Sequence, residues 1–131
     1  KLAGTKWKLE GIVNEQTGEM QILVPTDCEE CYTLEFDTDT TACGKSVMST
    51  VYININYLEG YSLTFENEPY NGNDYRAALS YMNGRYIIEE SQLKLYFEEV
   101  NVSYYLFFLK NYHNENEKIF HNWYCITFSD M

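Results

Sequence analysis

The stretch Cys28-Glu29-Glu30-Cys31-Tyr32-Thr33-Leu34-Glu35-Phe36 places a Cys-x-x-Cys pair directly before an alternating run of residues. From Tyr32 to Phe36, every second residue is apolar and the residues between them are polar. This period of two predicts a β-strand that buries one face. The two cysteines before it suit a disulfide, half of a metal site or a redox centre.

The same period of two extends outward from this strand along most of the chain. Between Thr5 and Val13, the alternate positions from Trp7 to Val13, including Gly11, are predicted to share one face of a strand. Further alternating runs are Val51–Tyr57, Tyr61–Phe65 and Leu93–Phe97. Two later runs, Ser103–Lys110 and Ile119–Phe128, are apolar on both parities. Short strands separated by turn signals at this spacing indicate an antiparallel sandwich or barrel.

One segment departs from the strand period. The apolar residues of Asp74–Asn83, from Tyr75 to Met82, follow the i, i+3, i+4, i+7 spacing of an amphipathic helix. Gly84 follows directly, and glycine commonly ends a helix in the left-handed conformation. The sequence therefore predicts one short helix inserted between strands.

The length of 131 residues suits one domain with one hydrophobic core. We predict a mainly β fold over residues 1–131, an antiparallel up-and-down (lipocalin-like) β-barrel of about eight strands with one short helix. Residues 111–131 are expected to add a C-terminal strand. The predicted core residues share the inward parity of their elements: Trp7, Leu9, Leu34, Phe36, Ile53, Ile55, Leu63, Phe65, Leu79, Leu93, Leu95, Leu106 and Phe108.

The charge of the chain excludes several classes of partner. The net charge is −11, from 20 acidic and 9 basic residues. Such a surface repels phosphate backbones and anionic lipid headgroups, so we expect no nucleic-acid partner. The sequence has no run of about 18 apolar residues, so no transmembrane segment is predicted. We expect a monomer whose charge serves solubility.

The four cysteines favour disulfides over metal or redox chemistry. A zinc site usually combines two paired motifs, but Cys43 and Cys125 are isolated in the sequence. A reactive Cys-x-x-Cys pair lies at a helix N-terminus, whereas this pair precedes a strand and encloses two glutamates that disfavour thiolate. We therefore expect disulfides in an oxidising compartment, with free thiols and a four-cysteine zinc site as alternatives. Of three pairings, the simplest joins Cys28 to Cys31 and Cys43 to Cys125.

The sequence does not contain a recognisable catalytic motif. The two histidines, His113 and His121, both lie near the C-terminus, and the sequence has no nucleophile elbow, phosphate-binding loop or zinc-protease motif. We therefore predict no enzymatic activity, no catalytic residues, no metal site and no cofactor.

The 13 tyrosines form an unusually large aromatic set. Exposed rings can contact sugars or apolar ligands, and the candidates for such contacts are Tyr61, Tyr81, Tyr104 and Tyr105. Cross-strand packing is the simpler explanation, because aromatic pairs across strands stabilise sheets by about 0.2–1 kcal/mol each.

Several segments resemble a known family. The opening Leu2-Ala3-Gly4-Thr5-Lys6-Trp7-Lys8-Leu9 resembles the start of META-type (heat-shock lipoprotein-like) β-barrel domains. The segments Asp74–Leu79, Tyr86–Ile88, Gln92–Tyr96 and Tyr105–Phe108 resemble that family's helix, short strand, final hairpin and closing strand. The segment Cys28–Asp39 is similar to lipocalin-like envelope lipoproteins of Bacteroidales. The chain departs from the META pattern around Cys43 and in its tail.

The resemblance implies an exported envelope protein, in the periplasm or on the outer-membrane surface, with a lipid anchor upstream. The chain begins at Lys1 without an initiator Met, so we expect that a segment upstream was removed, and a signal peptide is one candidate for it. Export after removal of a signal peptide is what the envelope resemblance implies. The predicted function is a non-enzymatic lipoprotein domain with a binding or structural role, whose partner is a small molecule or an envelope protein. The alternatives are a carrier of small apolar ligands inside the barrel, and an inhibitor or copper/redox sensor that acts through the Cys pair.

Overall fold

The computed structural model describes residues 2–47, 50–57, 62–66, 75, 78–79 and 82–111. Within these residues the fold is mainly β, and the only helical residues described are Tyr75, Ala78 and Leu79. The strands are β1 (Lys6–Asn14), β2 (Met20–Gln21), β3 (Thr33–Phe36), β4 (Thr41–Lys45), β5 (Thr50–Tyr57), β6 (Ser62–Glu66), β7 (Met82–Glu89), β8 (Gln92–Glu99) and β9 (Val102–Lys110).

The strands form one antiparallel sheet that curls back on itself at β1. One edge of β1 pairs with β9, from Trp7 opposite Lys110 to Asn14 opposite Tyr104. The other edge pairs first with β3 and then with the short strand β2. From β3 to β9, each strand pairs with the next strand in the sequence. The predicted antiparallel barrel of about eight strands is therefore confirmed, with β2 as an extra edge strand on β1.

The inward-facing residues of the described strands form a core of large side chains. The predicted core residues whose side chains are described are all buried, and Leu63 and Phe65 lie outside the described side chains. The helical residues Tyr75 and Ala78 join the same core. Burying one such side chain contributes roughly 1.5–3 kcal/mol, so this packed interior is the main source of stability.

A β-bulge in β1 changes which residues face the core. Leu9 lies opposite Phe108, but the next paired residue, Gly11, lies opposite Phe107, so Glu10 is the extra residue. A bulge reverses the alternation beyond it. Ile12 consequently joins the central core, while Gly11 and Val13 lie on the opposite face, where both are nevertheless buried. The prediction that Gly11 and Val13 share the face of Trp7 is therefore wrong.

The predicted helix ends earlier than its apolar spacing suggests. Met82 and Gly84 belong to β7, where Met82 lies opposite Phe97 of β8 and Gly84 lies opposite Leu63 of β6. The predictions of helix through Met82 and of Gly84 as its end are therefore wrong. The physical reason is that sheet hydrogen bonds to two neighbouring strands outweigh a local helical pattern.

The predicted additional strand over 111–131 lies, from residue 112 onward, outside the described residues. Asn111 is described, and its amide donates to the carbonyl of Lys6 at 2.8 Å, which ties the end of β9 to the start of β1. The single domain over 1–131 and its C-terminal strand stay predictions.

Candidate functional site

A cavity lies on the flank of the barrel, between β1 and the segment that joins β2 to β3. Its volume is about 300 Å³, the lower end of the range for small-molecule sites. The residues that line it come from β1, from β2 and from the joining segment: Lys8, Leu9, Glu10, Met20, Ile22, Leu23, Pro25, Thr26 and Tyr32.

A tight turn between β1 and β2 brings the chain back along β1. The side-chain Oδ1 of Asn14 accepts hydrogen bonds from the amides of Gln16, at 2.9 Å, and Thr17, at 3.2 Å. Gly18 has a φ of 80°, in the left-handed region that glycine adopts without steric cost. Met20 and Gln21 then pair with Val13 and Ile12, so the chain that follows runs beside β1.

The bulge region of β1 leaves no room for a side chain under β2. A Cβ atom on Gly11 would lie 2.7 Å from Met20 Sδ and 2.8 Å from the carbonyl oxygen of Gln21. Such a separation is shorter than real contacts allow, and the Gln21 oxygen belongs to the backbone. Gly11 is thus the residue that lets β2 dock on β1 and form one wall of the cavity.

Gly11→Ala is expected to push β2 away from β1 and to destabilise the protein by about 1–3 kcal/mol, as overpacking typically does. Urea denaturation measures this change. Glu10→Ala is the control, because Glu10 is exposed and its replacement should cost less than about 0.5 kcal/mol. Equal stabilities of the two variants would show that Gly11 does not hold β2 in place.

The Cys28–Cys31 disulfide forms the far end of the joining segment. The two sulfurs are 2.03 Å apart, and the amide of Cys31 donates to the carbonyl of Cys28 at 3.3 Å. Lys8 Nζ donates to the carbonyl of Cys28 at 2.8 Å and also to the carbonyl of Cys31. The Lys8 ammonium therefore ties this disulfide turn to the outer face of β1.

Lys8 carries a partly desolvated charge at the cavity. Burial lowers the pKa of Lys8 from its ordinary value, while the nearby carboxylates of Glu10 and Glu29 act in the opposite direction. An ammonium has three N–H groups, and the two carbonyls of the disulfide turn account for two of them. Glu10 also lines the cavity, so the site offers one cation and one anion beside aliphatic side chains.

Tyr32 joins the cavity wall to the barrel core. Its φ of 62° lies in the left-handed region, which is uncommon for a residue with a side chain. Its hydroxyl donates to the carbonyl of Val24, and its ring meets the ring of Tyr75 edge-to-face at 5.6 Å. The Tyr32 carbonyl accepts the amide of Leu9 at 2.9 Å. These contacts fix the position at which the segment enters β3.

Apolar side chains remain exposed around the cavity. The exposed fractions are 43% for Met20, 57% for Ile22 and 72% for Val24, three alternate positions of one segment. Leu23 lies between them and packs against the core. The mouth of the cavity is thus bordered by apolar surface, which suits contact with an apolar molecule.

The structure places the candidate cysteines in two different environments. Cys28 and Cys31 form the turn beside the cavity, with Cys31 only 2% exposed. Cys43 is buried on β4 and is also disulfide-bonded. Cys125 lies outside the described residues. Burial of Cys31 argues against the copper/redox sensor, because such a sensor needs both thiols accessible.

The two candidate ligand-contacting tyrosines that the structure describes, Tyr104 and Tyr105, are not among the residues that line the cavity. Tyr104 stacks on Phe97 with ring centroids 5.4 Å apart, and it packs against the core. Tyr105 lies 5.2 Å from the ring of Tyr96, with Lys94 Nζ 5.1 Å from its centroid. Both described rings therefore take part in packing across strands. Tyr61 and Tyr81 lie outside the described residues.

The described interior contains closely packed rings. Trp7, Phe36, Tyr75 and Phe108 are fully buried there, and the Tyr75 hydroxyl donates to the carbonyl of Thr33 at 2.7 Å. In the part of the barrel that the structure describes, the protein's own rings form the core, which favours a site outside the barrel over a carrier that holds its ligand inside. Across the described ranges, no cluster of three or more potential metal ligands occurs. In those same ranges no helix is long and apolar enough to cross a membrane.

The described residues form a small antiparallel barrel with a cavity on its flank. The chain is 32% identical over 114 residues to a protein of Tannerella forsythia named "Putative lipoprotein", a match that covers 82% of this chain and 74% of that protein. The chain therefore belongs to the family of that lipoprotein. A scan against protein-family models gave no match.

A solved structure shares the fold. The crystal structure of a DUF4847 family protein from Bacteroides vulgatus has a TM-score of 0.61 and covers 86% of this chain and 96% of its own. The sequence identity is 14%, so this likeness concerns the fold alone. Neither matched protein carries a name that describes an enzymatic activity, and neither name refers to a META or lipocalin family.

Proposed function

We propose that the chain is the folded domain of an exported, lipid-anchored envelope protein that acts by binding and not by catalysis. The lipoprotein relative supports the anchor, which would lie upstream of the barrel. The Cys28–Cys31 disulfide supports an oxidising compartment, either the periplasm or the outer-membrane surface. We further propose that the barrel is of the META or lipocalin-like type and that the protein is a monomer.

One observation carries the binding role, namely that the cavity lies outside the core that the described residues form. The described core is built from the protein's own rings, whereas the flank cavity has an apolar wall and a few polar groups, the usual makeup of small-molecule sites. The barrel then serves as a rigid scaffold, and the segment between β2 and β3 supplies the contacts. The ligand is a small molecule with an apolar part.

The neutral apolar fluorophore N-phenyl-1-naphthylamine tests this proposal. Its fluorescence should rise with the wild-type protein, because a desolvated apolar wall excludes water from the dye. Thr26→Trp should abolish the rise, since Thr26 lines the cavity and an indole there would fill it. Thr40→Trp is the matched control, because Thr40 is exposed in the turn between β3 and β4.

Two results would contradict the proposal. If the wild-type protein gives no rise, the cavity does not bind apolar molecules. If both tryptophan variants bind the dye as the wild type does, the dye occupies another place, and a carrier with an internal site becomes the better description. The inhibitor alternative stays a prediction.

A further inference from the structure

The two charged residues at the flank cavity narrow the class of ligand. Lys8 and Glu10 lie two residues apart on β1, on either side of the buried Leu9, and both line the cavity. The Lys8 ammonium is held in place by two carbonyls, which use two of its three N–H groups, and its Nζ lies 5.9 Å from the centroid of the Tyr32 ring. The Glu10 carboxylate is exposed at the bulge. The cavity therefore presents a donor cation beside an acceptor anion.

A ligand with a single charge satisfies only one of these residues. An anion would pair with Lys8 but meet the repulsion of Glu10, of Glu29 and of a chain with net charge −11. A cation would pair with Glu10 but meet the partly desolvated ammonium of Lys8. A molecule that carries both charges close together pairs favourably with each residue and leaves the total charge of the site unchanged.

The walls add a requirement for a compact apolar group. Met20, Ile22 and Leu23 line the cavity with aliphatic side chains, and its volume of about 300 Å³ suits a small molecule. We infer that the flank cavity binds a free apolar α-amino acid, with the α-carboxylate on Lys8, the α-ammonium on Glu10 and the side chain against the aliphatic wall. This inference rests on the proposed binding function of the same cavity.

Glu10 then acts as a specificity residue and not as a structural one. Its side chain is exposed, so Glu10→Gln should leave the unfolding temperature unchanged while it removes the partner of the α-ammonium. The same substitution also removes the repulsion toward an anion. The inference therefore predicts opposite changes for zwitterionic and anionic ligands, a result that a general loss of structure could not produce.

Isothermal titration calorimetry of the full chain at pH 7 with leucine, N-acetylleucine and leucinamide tests this inference. N-acetylleucine lacks the ammonium and leucinamide lacks the carboxylate, while all three keep the same side chain. Leucine should bind more tightly than either analogue by about tenfold, which corresponds to one charge-assisted contact. Glu10→Gln should weaken the binding of leucine by a similar factor and strengthen the binding of N-acetylleucine. The control Glu99→Gln should change neither affinity.

The possible outcomes separate this inference from the proposed function. If either analogue binds as tightly as leucine, or if Glu10→Gln leaves the order of the three unchanged, the zwitterion inference is overturned. If N-phenyl-1-naphthylamine binds at the cavity and leucine does not, the inference fails while the proposed function stands. If neither probe binds, both are overturned.

Discussion

Phe108→Ala is expected to destabilise the protein by about 3–5 kcal/mol, whereas Phe107→Ala should cost only about 1 kcal/mol. Phe108 is fully buried and lies between Leu9 and Leu93 on the neighbouring strands. Its ring packs against that of Tyr75, with the two ring centroids 6.4 Å apart. Its removal would leave a cavity that the surrounding strands cannot fill. Phe107 is partly exposed and loses mainly its contact with Tyr105.

Urea denaturation of both variants measures this difference, and the two phenylalanines control for each other because they are adjacent in one strand. A loss of 3–5 kcal/mol is a large part of the roughly 5–15 kcal/mol that holds a domain folded, so Phe108→Ala should also lower the yield of folded protein. Equal losses for the two substitutions would show that β9 does not have one inward and one outward face.

Cys43 and Cys125 are expected to form the disulfide with the largest effect on stability. Cys43 is buried and disulfide-bonded, and Cys28 and Cys31 are bonded to each other. A bridge from Cys43 to Cys125 would close a loop of roughly 80 residues, and its removal should cost about 4–5 kcal/mol in the chain-entropy model. The double variant C43S/C125S, compared with the wild type by urea denaturation, measures this loss.

The pair C28S/C31S is the matched control, because its short loop predicts a loss of only about 2 kcal/mol by the same model. Mass spectrometry of proteolytic fragments without reductant establishes the pairing directly. A fragment that joins Cys43 to Cys28 or Cys31 would overturn the proposed bridge. Free Cys43 and Cys125 in the oxidised protein would do the same.

The barrel could be predicted from the sequence because its signal is repeated in many strands. Residues such as Leu34, Phe36, Leu93 and Leu95 alternate with polar neighbours, and each such run independently indicates a strand with one buried face. The bulge at Glu10 could not be predicted, because it depends on how β1 pairs with β9 far along the chain. The helix end was misplaced for a similar reason, since Met82 keeps helical spacing but pairs with β8.

The candidate site was largely hidden from the sequence. One wall of the cavity is a segment without periodicity, and neither the strand period of Lys8 nor the place of Tyr32 after the Cys pair indicates that the two residues line one cavity. The sequence predicts only that Lys8 is an outward residue of β1. The structure adds that the disulfide turn places two carbonyls against its ammonium. One local signal was available: the apolar residues Met20, Ile22, Leu23 and Val24 lie between two turns, where polar residues are more common.

The pairing of β1 with β9 has a consequence for the time at which the protein can fold. The two strands lie roughly 100 residues apart in the chain, and contacts between such distant residues form slowly because a long loop must be closed first. During synthesis, β1 emerges early, but its partner β9 is made much later. If the protein is exported as proposed, this delay keeps the chain unfolded until it has crossed the membrane.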